Sequence, residues 1–210
     1  MYLLSIQVAS PQLLTVGRRQ ISTGIFKVPV AEATVGPLGL EGDAVMNAKH
    51  HGGPDQAVYV YSQEDYGWWV DQVEHDIFPG VFGENLTLSS FGVGDVMVGD
   101  RWQMGEVVLE ATAPRLPCAT FASRMGDPTM VNRFREARRP GFYARVITPG
   151  EIGVGGKASR VPSAHSVSIA QLFDLAYNTD AGVDELRRAL AAPIAERARG
   201  DLQRRLDKTV

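Results

Sequence analysis

Short apolar runs set between turn residues dominate residues 1 to 160. Val58-Tyr59-Val60-Tyr61, Asn85-Leu86-Thr87-Leu88, Val96-Met97-Val98 and Val107-Val108-Leu109-Glu110 are all of strand length. Phe142-Tyr143-Ala144-Arg145-Val146-Ile147 is another, closed by Pro149-Gly150. The opening Met1-Tyr2-Leu3-Leu4-Ser5-Ile6-Gln7-Val8 reads as a first strand. Such runs, punctuated by glycine and proline, predict a sandwich or a barrel. Gly99-Asp100-Arg101-Trp102-Gln103-Met104-Gly105-Glu106 reads as a hairpin connection between two of them.

Helical spacing breaks in at a few places. Ser62-Gln63-Glu64-Asp65 has the form of a capping box, and Tyr66, Trp69, Val70 and Val73 follow at helical intervals. Thr129 to Arg138 reads as a second helix, with Pro128 suited to its first turn. After Pro162 the texture changes. Ile169, Leu172, Phe173 and Ala176 repeat at i, i+3, i+4 and i+7. Val183, Leu186 and Leu190 continue the style, as do Leu202 and Leu206. The pattern predicts a β domain over residues 1–160 and a small all-helical appendage over 163–210.

Composition narrows the function classes. A chain of 210 residues buries a core without disulfides or a structural metal. Its apolar fraction of 44% and charged fraction of 21% are those of a globular chain. A net charge of −3 argues against a nucleic-acid or membrane-surface binder, because phosphate-rich partners demand a basic excess. The opening apolar run lacks a basic leader and is too short to span a bilayer. A single cysteine forbids an internal disulfide, and the cytoplasm is the expected setting. Arg187, Arg188, Arg197, Arg199, Arg204 and Arg205 make the tail look basic. Interspersed acids give it the reading of a solvated face.

Several segments carry candidate chemistry. Cys118 ends Pro114-Arg115-Leu116-Pro117-Cys118, where two prolines impose a stiff, non-helical loop. Arg115 is placed to favour its thiolate; a buried structural cysteine is the alternative. In Lys49-His50-His51-Gly52-Gly53-Pro54-Asp55, paired glycines let a backbone nest approach a phosphate, and Lys49 adds a charge. No partner spacing supports zinc there. Gly39-Leu40-Glu41-Gly42-Asp43 offers a turn, with Asp43 able to orient a neighbour. Phe82-Gly83-Glu84-Asn85-Leu86 brings a carboxylate and an amide into a strand, to bond a heterocycle or to tie down a loop. Lys27, in Thr23-Gly24-Ile25-Phe26-Lys27, reads as a surface lysine or one aimed at a ligand. The chain has no nucleophile elbow, Walker loop or dinucleotide fingerprint.

Taken in order, these motifs resemble the MOSC family. The segments from Gly39, Lys49, Phe82 and Pro114 keep that family's order and spacing, and Gly141-Phe142-Tyr143-Ala144-Arg145-Val146 follows where it has a similar strand. The opening motif and helical tail are similar to its YiiM-like subgroup, which carries a C-terminal three-helix domain. One departure is Gly155-Gly156-Lys157, where relatives often have Gly-Asp.

The resemblance implies a mainly β fold: a β-barrel-like domain with inserted helices, then a three-helix appendage. It implies the molybdenum cofactor, molybdenum bound to its pterin, with Cys118 as metal ligand or sulfur carrier. It also brings the superfamily's association with pyridoxal phosphate. Lys49, Gly52, Gly53 and Arg115 are the expected phosphate cradle, with Asn85, Asp43 and Lys27 as further cofactor-binding candidates. His51 and Asp55 are candidates for proton delivery or loop orientation beside Cys118. The implied reaction is reduction of an N-hydroxylated compound such as 6-hydroxylaminopurine. Electrons would come from an external flavin or iron–sulfur protein, because the chain has no such signature of its own. A homodimer is an open expectation. A cysteine persulfide sulfur carrier and a non-catalytic cofactor carrier are the alternatives.

Overall fold

The computed structural model describes residues 1–46 and 52–209. The opening run forms β1 (Leu3–Val8), followed by β2 (Gln12–Val16), β3 (Arg19–Thr23), β4 (Val28–Val30), β5 (Glu32–Gly36) and β6 (Gly39–Leu40). β7 (Val58–Ser62) leads into α1 (Gln63–Val70), and β8 (Leu86–Leu88), β9 (Arg101–Met104) and β10 (Val107–Ala113) come next. α2 (Ala119–Met125) and α3 (Met130–Ala137) precede β11 (Phe142–Thr148), β12 (Gly150–Gly153) and β13 (Ala158–Val161). α4 (Ile169–Tyr177), α5 (Val183–Ala191) and α6 (Glu196–Thr209) follow. No helix among the described residues is long and apolar enough to cross a membrane.

The main sheet runs β13-β9-β10-β11-β7-β8-β1-β4. Its neighbours pair antiparallel except β7 and β8, which are parallel. Parallel neighbours need a crossover, and the stretch containing α1 supplies it. β5 joins β12 and β6 in a second sheet, and β2 and β3 form a separate hairpin. The expected barrel is not closed: among the described residues β13 and β4 remain the edges of the main sheet. Backbone bonds between Leu3 and the Gly155-Gly156 turn (2.8 and 2.9 Å) still draw the start of β1 against the approach to β13. The sheet therefore curls without completing its ladder.

Two local expectations are corrected. Val96-Met97-Val98 is no strand; it makes one isolated bridge, Met97 to Ser168. Half of the supposed hairpin connection from Gly99 to Glu106 is β9 itself. Trp102 and Met104 of β9 are buried while Arg101 and Gln103 are exposed, and Val107 pairs with Met104 across a turn at Gly105-Glu106. The helix at Ser62 starts as its sequence predicts, with the serine hydroxyl accepting from the Asp65 N–H at 3.1 Å.

Two apolar clusters fill the interior. One runs from the sheet into the C-terminal helices, joining Leu109, Trp102 and Phe142 to Leu172, Leu186 and Leu202. The other is aromatic: Tyr59, Tyr61, Tyr66, Trp69, Phe82, Phe121 and Phe134. Phe121 is fully buried there, which contributes about 2 kcal/mol. That contact anchors α2, a helix the sequence reading missed, and so fixes the residue just before it, Cys118.

Candidate functional site

β10 delivers the chain to Pro114, and the two prolines forbid continuing either strand or helix until Cys118. Cys118 is the N-cap residue of α2, with extended backbone (φ −140°, ψ 172°). Its side chain is half-buried and lines a cavity of about 280 Å³. Arg115 lines the same cavity and is 5% exposed. Its guanidinium donates to the Phe82 carbonyl and lies 4.6 Å from the Phe121 ring centroid and 5.2 Å from that of Tyr59. Such cation–π contacts partly replace lost hydration. Burial opposes its charge, but Tyr59, Tyr143, Cys118 and Glu84 outweigh that and hold its pKa above the usual value. No carboxylate forms an ion pair with it among the described residues. A buried cation so placed favours a negative neighbour, and the sulfur of Cys118 shares its cavity.

A polar cluster drawn from distant parts of the chain lines the same cavity. Lys27 Nζ donates to both carboxylate oxygens of Asp43, at 2.5 and 2.6 Å. Asp43 also accepts from the Ala9 N–H (2.8 Å) and from the Asn85 amide (2.8 Å). Asn85 in turn accepts from the Tyr59 N–H at 3.1 Å. The surface-lysine expectation is thus overturned: the Lys27 side chain is 6% exposed, and so is that of Asp43. Burial pushes the Lys27 pKa down, against the pull of Asp43. All three residues line the cavity.

Glu84 is fully buried. One of its oxygens accepts from the Tyr66 hydroxyl (2.7 Å), the Gly80 N–H (2.5 Å) and the Thr87 hydroxyl (2.9 Å). Its other oxygen has no partner, and burial raises its pKa. Of the two roles expected for its motif, Glu84 takes the tying of a loop.

The glycine-rich loop is divided. Gly52 lines the cavity with φ +78°, and a Cβ there would meet Val45 Cγ1 at 2.6 Å. Gly53 (φ +87°) opens the short turn at Pro54–Gln56 and does not line the cavity. Lys49 and His51 lie outside the described residues. Asp55 is also not a lining residue. Its carboxylate pairs with Arg145 (3.0 Å) and accepts from the Glu196 N–H (2.9 Å), so it ties β11 to the start of α6. Sequence reasoning missed Gln56, Thr120, Tyr59 and Tyr143, which line the cavity as well. Both tyrosines sit inside strand patterns, where nothing distinguishes a cavity wall from a core position.

The sequence model of the MOSC domain matches residues 47–159. The chain belongs to the MOSC family. The YiiM-like 3-alpha helix domain matches residues 167–209, which hold α4, α5 and α6. The uncharacterized protein YflK of Bacillus subtilis (strain 168) is 31% identical over 98% of this chain and 94% of its own. A Gibberella moniliformis protein named reductase is 30% identical over 67% of this chain but only 26% of itself. The crystal structure of YiiM from Geobacillus stearothermophilus superposes with a TM-score of 0.80, at 27% identity, over 98% of both chains. MOSC domains are known as a molybdenum-cofactor-binding family.

The donor set at this MOSC site fits that cofactor. Among the described residues no group of three metal-ligating side chains occurs. Cys118 offers a soft donor, within a cavity that also holds two buried cations, Lys27 and Arg115.

Proposed function

We propose that this MOSC protein is a molybdenum-cofactor-dependent reductase of N-hydroxylated compounds such as 6-hydroxylaminopurine. One observation carries the reading: the only cysteine of the chain shares a cavity with a buried arginine that has no carboxylate partner among the described residues. That cation favours the ionised sulfur, and a thiolate is the kind of donor molybdenum takes. Cys118 would hold the metal. Arg115, Gly52 and the Lys27–Asp43–Asn85 cluster would hold the pterin and its phosphate. When bound, the cofactor supplies two-electron redox chemistry. Reducing an N-hydroxyl group breaks its N–O bond, consumes two electrons and two protons, and releases the oxygen as water. A lone cysteine cannot ligate an iron–sulfur cluster, so an external flavin or iron–sulfur protein supplies the electrons. The relative named reductase supports an oxidoreductase over an inert carrier.

The test is turnover of 6-hydroxylaminopurine with an artificial reductant, using protein made in a cofactor-competent host. Cys118→Ser should lose at least about tenfold in rate, since one tenfold step is only about 1.4 kcal/mol of barrier. Equal rates in both proteins would remove Cys118 from the chemistry. A sulfur-carrier role is the second reading, favoured because Cys118 also opens on a second cavity. Cyanide-labile sulfur on the wild-type protein, without reductase turnover, would select it.

A further inference from the structure

The second cavity, of about 750 Å³, lies between the proline loop and α6. It shares Cys118, Thr120, Tyr143 and Gln56 with the first, so the thiol stands in the partition between two chambers. Its apolar floor includes Pro114, Leu116, Leu172 and Leu202. Its far wall is one face of α6, where Arg197, Asp201, Arg204 and Lys208 recur at i, i+4, i+7 and i+11. Some of this charge is committed. Arg205 donates to the Leu175 and Asn178 carbonyls and closes the end of α4. Arg197 donates to Gln56, at the partition. Arg204 pairs with Asp201 on an exposed surface, where such a pair is worth little. Asp201 is the only carboxylate lining the cavity among the described residues, so the wall carries a positive excess.

An apolar floor leading from a reactive sulfur to a cationic rim suits a flat organic body with an anionic end. We propose that this cavity is a substrate subsite for a nucleotide. The heterocycle lies on the floor toward Cys118, and the phosphate lies against Arg204 and Lys208. Arg197 and Arg204 are separated by seven residues, roughly 10 Å along the helix, which leaves room for a sugar between base and phosphate. The inference rests on the reductase reading above and names its substrate class: N-hydroxylated purine nucleotides rather than free bases.

The decisive experiment is calorimetric titration of the full chain with adenosine 5′-monophosphate and, separately, with adenosine. The nucleotide should bind at least about tenfold more tightly, with a preference that shrinks as salt is raised. The preference should vanish in the double variant Arg204→Ala/Lys208→Ala, whose altered side chains are exposed. Equal affinity for the two ligands, or a preference that survives the double variant, overturns the proposal. Molybdenum content of that variant is the second arm. Unchanged content supports a substrate subsite. A parallel loss of molybdenum would mean that these cations hold the phosphate of the cofactor instead, and would also overturn it. Neither titration requires metal, so wild-type protein without molybdenum sinks the reductase reading while the binding result is read independently.

Discussion

Cys118 and Arg115 are three residues apart, and two prolines keep that short interval rigid. The sequence shows this much directly, because proline acts on its immediate neighbours. It does not show that Lys27 is buried against Asp43, since nothing local to either residue reports on the other. Nor does it reveal Glu84 as a fully buried acid. The raised pKa of Glu84 gives a signed prediction. A carboxyl that keeps its proton longer in the folded state contributes most below the ordinary carboxylate pKa. That contribution is lost as pH rises through the folded value. Glu84→Gln keeps an acceptor for Tyr66, Gly80 and Thr87 and cannot ionise. Its unfolding midpoint should equal that of the wild type in acid and exceed it near neutral pH. Parallel midpoints across pH would contradict a raised Glu84 pKa.

At the scale of elements, strands with an apolar rhythm between glycines were legible: β1, β7, β8, β10 and β11 all lie where the runs predict. β9 was hidden because its glycine-flanked, polar–apolar alternation also reads as a loop. α2 was hidden because it is short and its first turn lacks a side-chain cap. The junction at Asp55 shows how one carboxylate couples distant elements. It accepts from the first N–H of α6 and pairs with Arg145 of β11. Asp55→Ala should cost about 1 kcal/mol, the usual value of a lost cap. Amide exchange should accelerate in the first turn of α6 more than elsewhere. Unchanged exchange there would show that α6 is held by its apolar face alone.

For the whole molecule, the C-terminal helices are not merely appended, because Leu172, Leu186 and Leu202 belong to the same apolar cluster as the strands. A chain ending at Val161 would expose that cluster to water. It should aggregate or lose cooperative unfolding, as judged by calorimetry. Cooperative melting at the full-length midpoint would establish the β part as independent. The barrel expectation also meets its limit at this scale. Local patterns predict strands, but closure depends on how far the sheet curls, and here β4 and β13 stay unpaired with each other. The basic face of α6 had the same ambiguity: its charges read as solvated until the fold set them opposite the proline loop.

Whether Cys118 holds a molybdenum atom in the smaller chamber is tested most directly by metal and pterin analysis. Wild-type protein from a cofactor-competent host should carry molybdenum and pterin together, near about one of each per chain as expected for a single specific site. Cys118→Ser should retain far less metal under the same purification. Wild-type protein free of both, or a serine variant equally loaded with molybdenum, would contradict the assignment.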